Sequence, residues 1–336
     1  MANLLLDQNF SDFNESVAIA NARHLTVFDI TRRPHFASVY MSCEAMTKLQ
    51  SQGVKVNVLL FDYSFIEKDS SEKLRKLRID IYKEFFKNVS QLTNLDYSKV
   101  NFIDAVIYFK TSSEAVWGNF QKLSSSINID ILAFKNKSQN FKMASYIREL
   151  FYLSAIKEFD PDIYHSGGDE QWSRKLLATN PKEANKYVFS HPVLPKFSPK
   201  LENHQSGDFR ISHKMSRDDE NSAIHCNERR DGLAKKINNS YCLEGDLKNN
   251  AVLEWIKETV YEQGRVFDIV RPEKWGGNKT LRSFLELEDE YLRKSIHPFD
   301  LKNSYTEFFT DWTWEVRKNL RESHIFEDYS YVYESQ

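Results

Sequence analysis

The sequence predicts an α/β protein in which a doubly wound parallel sheet is followed by a helical region. HLTVFDI at 24–30, VKVNVLLFDY at 54–63 and NFIDAVIYF at 101–109 read as strands that are apolar on both faces. Helical stretches at 36–51 and 69–90 separate these strands. Such alternation is typical of parallel βαβ units, which bind ligands at the carboxyl ends of their strands.

The elements after the third strand extend this pattern and then change it. Residues 142–159 predict a helix, and DIYHSGG at 162–168 predicts a short strand that enters a glycine turn. Residues 196–222 are polar and rich in turn formers, which indicates a loop at a boundary. Amphipathic stretches then predict helices near 229–240, 248–263, 280–294 and 301–322.

Length and composition set the domain count and exclude some partners. With 336 residues, 41% of them hydrophobic, the chain can bury one large core or two smaller ones. We expect one domain over 1–222, including a loop at 210–222, and a helical domain over 223–336. The 46 basic and 48 acidic residues give a net charge of −2, so any nucleic-acid contact must be local.

The chain also lacks the usual signals for membranes and secretion. Its longest apolar runs, such as VNVLLF at 56–61, are far shorter than a transmembrane helix needs. The stretch MANLLLDQNF has no basic residue before its apolar part, so we expect no signal peptide. Cys43, Cys226 and Cys242 are widely spaced, which favours a reducing compartment and therefore a cytoplasmic protein.

Four short segments carry candidate chemistry, and the first is the loop from Asp29 to Ser38. It joins a strand to a helix, where backbone N–H groups and the helix dipole favour an anion. A histidine at this point, His35, can contact a triphosphate. An ordinary capping turn would have the same composition.

The second and third segments contribute polar groups from later loops. Gly167-Gly168-Asp169-Glu170-Gln171 offers a close backbone approach, an acid for ribose hydroxyls and an amide for an amino or carboxyl group. His213-Lys214-Met215-Ser216-Arg217-Asp218 offers cations that can neutralise phosphate charge in a transition state. Each segment alone is also typical of an ordinary surface loop.

The fourth segment is RPEKWGGNKT at 271–280 with HPFDLKNS at 297–304. Trp275 on a glycine-rich loop could stack on a base, and Asp300 could accept a hydrogen bond from a base edge. A core tryptophan and a helix-capping aspartate are the simpler alternatives. His225-Cys226 has no second ligand pair at zinc spacing, so we predict no metal site in the protein.

In this order, the four segments resemble the class I aminoacyl-tRNA synthetases. KMSRDDENSAIHCNERRDGLAKKINNSYC, RPEKWGGNKT and HPFDLKNS are similar to tyrosyl-tRNA synthetases of the archaeal and eukaryotic type. The resemblance covers residues 20–320 and is strongest over 213–303. It implies a Rossmann-like catalytic domain followed by an anticodon-binding-like helical domain.

The resemblance also implies a reaction and its partners. An amino acid would be activated by ATP and Mg²⁺ to an aminoacyl-adenylate, with release of pyrophosphate, and then transferred to tRNA or another acceptor. His35 and Lys214 are the implied catalytic residues, and Gln171 would hold the amino-acid end of the substrate. The implied ATP-binding residues are Asp29, Pro34, His35, Ala37, Ser38, Gly167, Gly168, Glu170, Lys214, Met215 and Ser216. Trp275 and Asp300 would contact the first anticodon base.

The amino-acid pocket departs from the family pattern. At the two positions where the family binds a phenol, this chain has Leu25 and Ile156. At the two positions where the family holds the substrate amine, it has Glu149 and Leu153, and Val27 completes the predicted pocket. We therefore expect tyrosine selection to be lost. A shift of the helix by one turn would instead bring Tyr146 or Tyr152 into the pocket.

Three functions follow from these observations. The first is a tyrosyl-tRNA synthetase-like ligase with an altered pocket, either a working tyrosyl-tRNA synthetase or a paralogue that transfers its adenylate to another acceptor. The second is a tRNA-independent amino-acid ligase. The third is a non-catalytic tRNA-binding protein, which the retained His35, Lys214, Glu170 and Gln171 argue against. The resemblance further implies a homodimer formed through 110–148, whose apolar residues lack an obvious partner. These residues are Val116, Trp117, Phe120, Ile129, Ile131 and Phe134.

Overall fold

The computed structural model describes residues 8–9, 22–64, 71–126, 143–170, 187–200, 209–215, 223–225 and 228–333. These residues group into two compact units. Unit 1 contains the described residues within Met1–Pro34, Ser38–Pro192 and Ser323–Gln336, and unit 2 those within His35–Ala37 and Val193–Glu322. The predicted domain boundary after 222 stays a prediction.

Unit 1 is built on a parallel sheet of six strands in the order β1-β6-β5-β2-β3-β4. The strands are β1 (Gln8–Asn9), β2 (His24–Asp29), β3 (Asn57–Phe61), β4 (Asn101–Asp104), β5 (Ile163–Gly167) and β6 (Tyr187–His191). The chain runs outward from β2 to β4 and then returns to the other side of β2. This reversal lies between β2 and β5, where doubly wound sheets bind ligands. The predicted fold class is confirmed.

Helices separate the strands and continue into the rest of the chain. In chain order they are α1 (Phe36–Ser51), α2 (Glu72–Val89), α3 (Ala105–Thr111), α4 (Ser113–Ser126), α5 (Met143–Phe159), α6 (Phe209–Ser212), α7 (Arg230–Asn239), α8 (Ala251–Ile256), α9 (Phe284–Leu292), α10 (Pro298–Trp312), α11 (Trp314–Glu322) and α12 (Ile325–Tyr333). Local sequence fixes several of their starts. The Ser71 hydroxyl, for example, accepts the Leu74 N–H at 3.1 Å and caps α2.

The third predicted strand is wrong over its second half. Only 101–104 is extended, and the apolar run from Ala105 onward is helical. Asp104 causes the change because its Oδ1 accepts the N–H of Val106 at 2.9 Å and thereby caps α3. A short apolar run fits a strand and a buried helix equally well, so periodicity alone gave no warning.

Unit 2 is mostly helical, but it also contains an antiparallel hairpin that the sequence did not predict. Its strands are β7 (Phe267–Ile269) and β8 (Lys279–Leu281). A π-helical turn, Lys257–Tyr261, continues α8. The core centres on Trp255, whose indole N–H donates to the Pro195 carbonyl at 2.8 Å and whose ring packs on Phe309. The short helix α6 lies inside the segment predicted as a loop.

Within the described ranges, no helix is both long enough and apolar enough to cross a membrane.

Candidate active site

The loop after β2 is held in place by hydrogen bonds within unit 1. Asp29 Oδ1 accepts the Thr31 N–H at 2.9 Å and also the Thr31 hydroxyl. The Tyr82 hydroxyl lies 2.8 Å from the Asp29 carbonyl oxygen and 2.9 Å from that of Arg32. Pro34, at the end of this loop, is buried. The first candidate segment is thus an ordered turn at the carboxyl edge of the sheet.

The glycine turn lies at the end of β5, on the same edge. The Gly168 N–H donates to the His191 carbonyl at 3.0 Å, and the Glu170 N–H donates to the Gly167 carbonyl at 2.9 Å. A Cβ on Gly167 would approach the Asp169 carboxylate to 2.7 Å, so a side chain here would require the Asp169 side chain to move. Gln171 lies outside the described residues.

The predicted amino-acid pocket is a packed part of the unit 1 core. Leu25 and Ile156 are both 0% exposed, and Leu153 is buried with them. Val27 packs against the same cluster. Strand β2 and helix α5 therefore bring Leu25, Val27, Leu153 and Ile156 of the assigned pocket into one cluster.

Two tyrosines lie in the same cluster: Tyr152, which a one-turn shift of the helix would bring into the pocket, and Tyr164, which the pocket assignment did not include. Tyr164 is paired in register with Leu25, so both side chains point to the same face of the sheet. The Tyr152 and Tyr164 hydroxyls are 2.7 Å apart, and Tyr152 also donates to Glu170 Oε2 at 3.4 Å. Burial, followed by Glu170 and Tyr164, raises the pKa of Tyr152 well above its usual value. Tyr152 therefore stays a neutral hydrogen-bonding group.

Glu149 is buried beside a cation and a further tyrosine. Its Oε1 lies 3.5 Å from Arg148 Nη2, and the Arg148 guanidinium lies over the Tyr63 ring at 4.9 Å. Burial, followed by the negative charges of Glu149 and Asp29, raises the pKa of Tyr63. The sequence analysis did not find Tyr63, which follows β3. Its position at a strand end was the available signal.

Unit 2 holds His35, Ala37, Lys214 and Met215. His35 forms an antiparallel bridge with His225, and the next residue's N–H donates to the Ile224 carbonyl at 2.7 Å. Lys214 forms a bridge with Pro195, and its side chain is exposed while Met215 is buried. Lys214 of the third segment is thus on the surface and is held through its backbone, whereas Arg217 lies outside the described residues. Ser38, in unit 1, is half-buried, and Ser216 lies outside the described residues.

The fourth segment has one exposed member and one paired member. Trp275 ends a 3₁₀ turn and is 65% exposed, so it is not a core residue. Gly276 and Gly277 follow with φ of 100° and 66°, which side chains other than glycine rarely adopt. Asp300 lies in the first turn of α10, and its Oδ2 is 4.0 Å from Arg271 Nη1.

Known proteins with similar sequences include tyrosine–tRNA ligases. The chain is 25% identical to the Haloarcula marismortui tyrosine–tRNA ligase over 288 residues, which is 80% of this chain and 77% of the relative. It is 23% identical to the Thermococcus sibiricus enzyme over 88% of this chain and 86% of the relative. It is 24% identical to the cytoplasmic tyrosine–tRNA ligase 2 of Arabidopsis thaliana over 88% of this chain, but spans only 39% of that longer protein.

Solved structures show the same fold. The tyrosyl-tRNA synthetase of Pyrococcus horikoshii, crystallised with L-tyrosine, matches with a TM-score of 0.81 and 20% identity over 92% of this chain and 90% of that one. The family model of class I tRNA synthetases (W and Y) matches residues 20–312. The chain therefore belongs to the class I tRNA synthetase (W and Y) family, and its relatives make it tyrosyl-tRNA synthetase-like.

Proposed function

We propose that this protein is an ATP-dependent ligase that activates an amino acid and transfers it to tRNA. The carboxylate of the amino acid attacks the α-phosphorus of ATP, which releases pyrophosphate and leaves an aminoacyl-adenylate. A terminal hydroxyl of tRNA then attacks the carbonyl carbon and releases AMP. The family match over 20–312 is the observation that carries this proposal.

The side chains that the sequence assigned to ATP binding and catalysis suit the first step, formation of the aminoacyl-adenylate. The loop after β2 and the Gly167-Gly168 turn at the end of β5 lie at the carboxyl ends of two neighbouring strands of the unit 1 sheet. We assign ribose binding to Glu170, and phosphate neutralisation to His35 and the exposed Lys214. Charge stabilisation and positioning supply most of the catalysis in such a reaction, so groups of this kind suit it.

Mg²⁺ is proposed as the partner of the triphosphate, because it prefers phosphate and water oxygens to a dedicated protein cage. Among the residues that the structure describes, no group of three or more His, Cys, Asp or Glu side chains is placed to hold a metal ion. The ion would neutralise charge on the pyrophosphate leaving group.

The proposed substrate is an amino acid with an apolar or differently polar side chain, and tyrosine is disfavoured. Leu25 and Ile156 have no group that hydrogen-bonds a phenol. An unpaired buried hydroxyl costs about 1–3 kcal/mol. Tyr152 and Tyr164 also occupy volume in the same cluster, with their hydroxyls directed at each other.

We further propose a cytoplasmic homodimer. Trp117 is 52% exposed on α4, and Met143 and Ile107 are also exposed in the same region of the chain. Val116, by contrast, is buried, and Phe120 packs on Phe151 with ring centroids 4.9 Å apart, so these two predicted interface residues have partners in their own subunit. Ile129, Ile131 and Phe134 lie outside the described residues. Light scattering at micromolar concentration tests the dimer.

The experiment for the main proposal is ATP–pyrophosphate exchange with each of the twenty amino acids, followed by transfer assays with total tRNA. We expect one or a few amino acids other than tyrosine to support exchange. Exchange without transfer to tRNA would favour a tRNA-independent ligase. tRNA binding without exchange would contradict the enzyme and leave a binding protein.

A further inference from the structure

Three carbonyl groups of the loop after β2 accept hydrogen bonds from two tyrosines that lie on separate helices. Tyr82 on α2 lies within hydrogen-bond distance of the Asp29 and Arg32 carbonyls. The Tyr333 hydroxyl, on α12, donates to the Ile30 carbonyl at 2.9 Å. The pairing is reciprocal, because Arg33 Nη2 donates to the Tyr333 carbonyl at 3.3 Å.

Helix α12 is itself anchored on α2. Tyr329 stacks on Phe85 with ring centroids 5.8 Å apart and planes within 13°. Tyr82 and Phe85 lie on the same helix, three residues apart, so α2 supports both tyrosines that contact the loop. Tyr82 is buried against Phe28 of β2, which fixes its ring as well. The loop is thus fastened to the sheet and to two packed helices.

Fixing a carbonyl also fixes the amide that follows it, because the peptide unit is planar. Hydrogen bonds to the carbonyls of Asp29, Ile30 and Arg32 therefore set the orientation of three peptide units in a short loop. The Ile30 N–H is already used, since it donates to the Phe61 carbonyl at 3.0 Å. The loop leading to Pro34 has little freedom left.

We infer that Tyr333, together with Tyr82, positions the loop 29–33 for nucleotide binding and so makes helix α12 part of the support of the ATP site. The inference rests on the proposed function, since the loop is taken to be the nucleotide loop. Tyr333 acts through the loop backbone and is a positioning residue. A misplacement of about 1 Å in such a support can cost on the order of 100-fold in rate.

The test is Tyr333→Phe, which removes the hydroxyl and keeps the ring. We expect the Kd for a non-hydrolysable ATP analogue, measured by calorimetry, to rise about tenfold, as loss of one partly buried hydrogen bond implies. kcat/KM for ATP in exchange should fall by a similar factor, and KM for the amino acid should stay unchanged. In the ligand-free protein, hydrogen exchange at amides 30–33 should accelerate.

The matched control is Tyr291→Phe, because the Tyr291 hydroxyl also donates to a backbone carbonyl at 2.9 Å, that of Leu243 in unit 2. It should lower the melting temperature comparably and leave ATP binding unchanged. Tyr82→Phe replaces Tyr333→Phe if the latter does not fold. Normal ATP binding and unchanged loop exchange in the tyrosine variants would overturn the inference and leave the proposed function intact. A wild-type protein that binds no ATP would refute the proposed function and the inference with it.

Discussion

Tyr152 and Tyr164 approach each other with their hydroxyls 2.7 Å apart in the interior of unit 1. The two residues come from α5 and β5, and both are buried. Tyr164 is in register with Leu25 on the neighbouring strand, in the cluster that also holds Ile156. The rings of Tyr152 and Tyr164 therefore take up space beside Leu25 and Ile156, the two residues assigned to the end of the pocket.

The first prediction is that Tyr164→Ala widens the amino-acid preference. Removing the ring should leave a cavity beside Leu25. The rate of exchange with phenylalanine, divided by the rate with the best substrate of the wild-type protein, should then rise by at least about tenfold, which is the usual effect of a change in pocket size on substrate preference. It should also cost about 3–5 kcal/mol of stability. The readout is exchange across all amino acids, paired with denaturant unfolding.

Tyr305→Ala is the control for this change, because Tyr305 is equally buried but lies in unit 2. It should lower stability without changing the amino-acid preference. If tyrosine is already the fastest substrate of the wild-type protein, the pocket assignment on α5 is wrong.

The second prediction concerns conversion of the pocket to tyrosine. Leu25→Tyr with Ile156→Asp should restore groups that bind a phenol, but both sites are fully buried beside Tyr164. Overpacking a core costs about 1–3 kcal/mol, so the double variant should gain little tyrosine exchange. Adding Tyr164→Ala should provide the room and reveal the gain. Tyrosine exchange in the double variant equal to that in the triple variant would show that Tyr164 does not restrict the pocket.

Sequence patterns predicted the sheet best where strands are long and apolar. β2 and the helix that follows it matched their expected ranges closely, because apolar strands in parallel sheets carry a strong signal. β6 was missed although it is as long as β3 and β5, because YVFSH follows the polar stretch PKEANK and has only three apolar residues. The strand predicted over 101–109 was cut short by one capping side chain, that of Asp104.

Candidate residues for the site were predictable where a motif places them on one loop. Tyr63 and Tyr164 are different, because the packing of β3, β5 and α5 is what places them in the cluster around the assigned pocket. No local spacing relates these residues. Tyr333 is farther still from the loop it contacts, about three hundred positions along the chain. Only the folded arrangement shows such relationships.

The third prediction addresses the exposed Lys214. Lys214→Ala should lower pyrophosphate exchange by about 100-fold or more, which is typical for the loss of a contact to transition-state charge. Its side chain is exposed, so stability should change by less than about 0.5 kcal/mol. Lys200→Ala, at another exposed lysine in unit 2, should leave exchange intact. Unchanged exchange in Lys214→Ala would remove Lys214 from the catalytic assignment.

The fourth prediction separates tRNA recognition from amino-acid activation. Trp275→Ala should leave pyrophosphate exchange unchanged and raise KM for tRNA about tenfold, because stacking on a base contributes about 1–3 kcal/mol. Trp314→Ala is the control, since it removes another partly exposed tryptophan of unit 2. Equal effects of the two substitutions on transfer would argue against a specific base contact at Trp275.

A buried histidine pair is expected to make the stability of the protein depend on pH. His24 Nε2 lies 2.6 Å from His165 Nδ1, their rings stack, and both side chains are fully buried across β2 and β5. Burial lowers the pKa of His24 to about 3, and burial together with its histidine neighbours lowers the pKa of His165 well below its usual value. The folded protein therefore keeps both rings neutral at mildly acidic pH.

The fifth prediction is that stability falls below about pH 6.5, where these histidines take up protons only in the unfolded chain. Because the folded pKa values are lowered, the contribution is complete above pH 6.5 and is lost as the pH falls toward the folded values. Each histidine lowers the free energy of unfolding by about 1.4 kcal/mol per pH unit in this range. Urea unfolding from pH 8 to 5 measures the slope, which His165→Gln should reduce and His324→Gln, at an exposed site, should not. An identical slope in His165→Gln would show that the buried pair does not control acid stability.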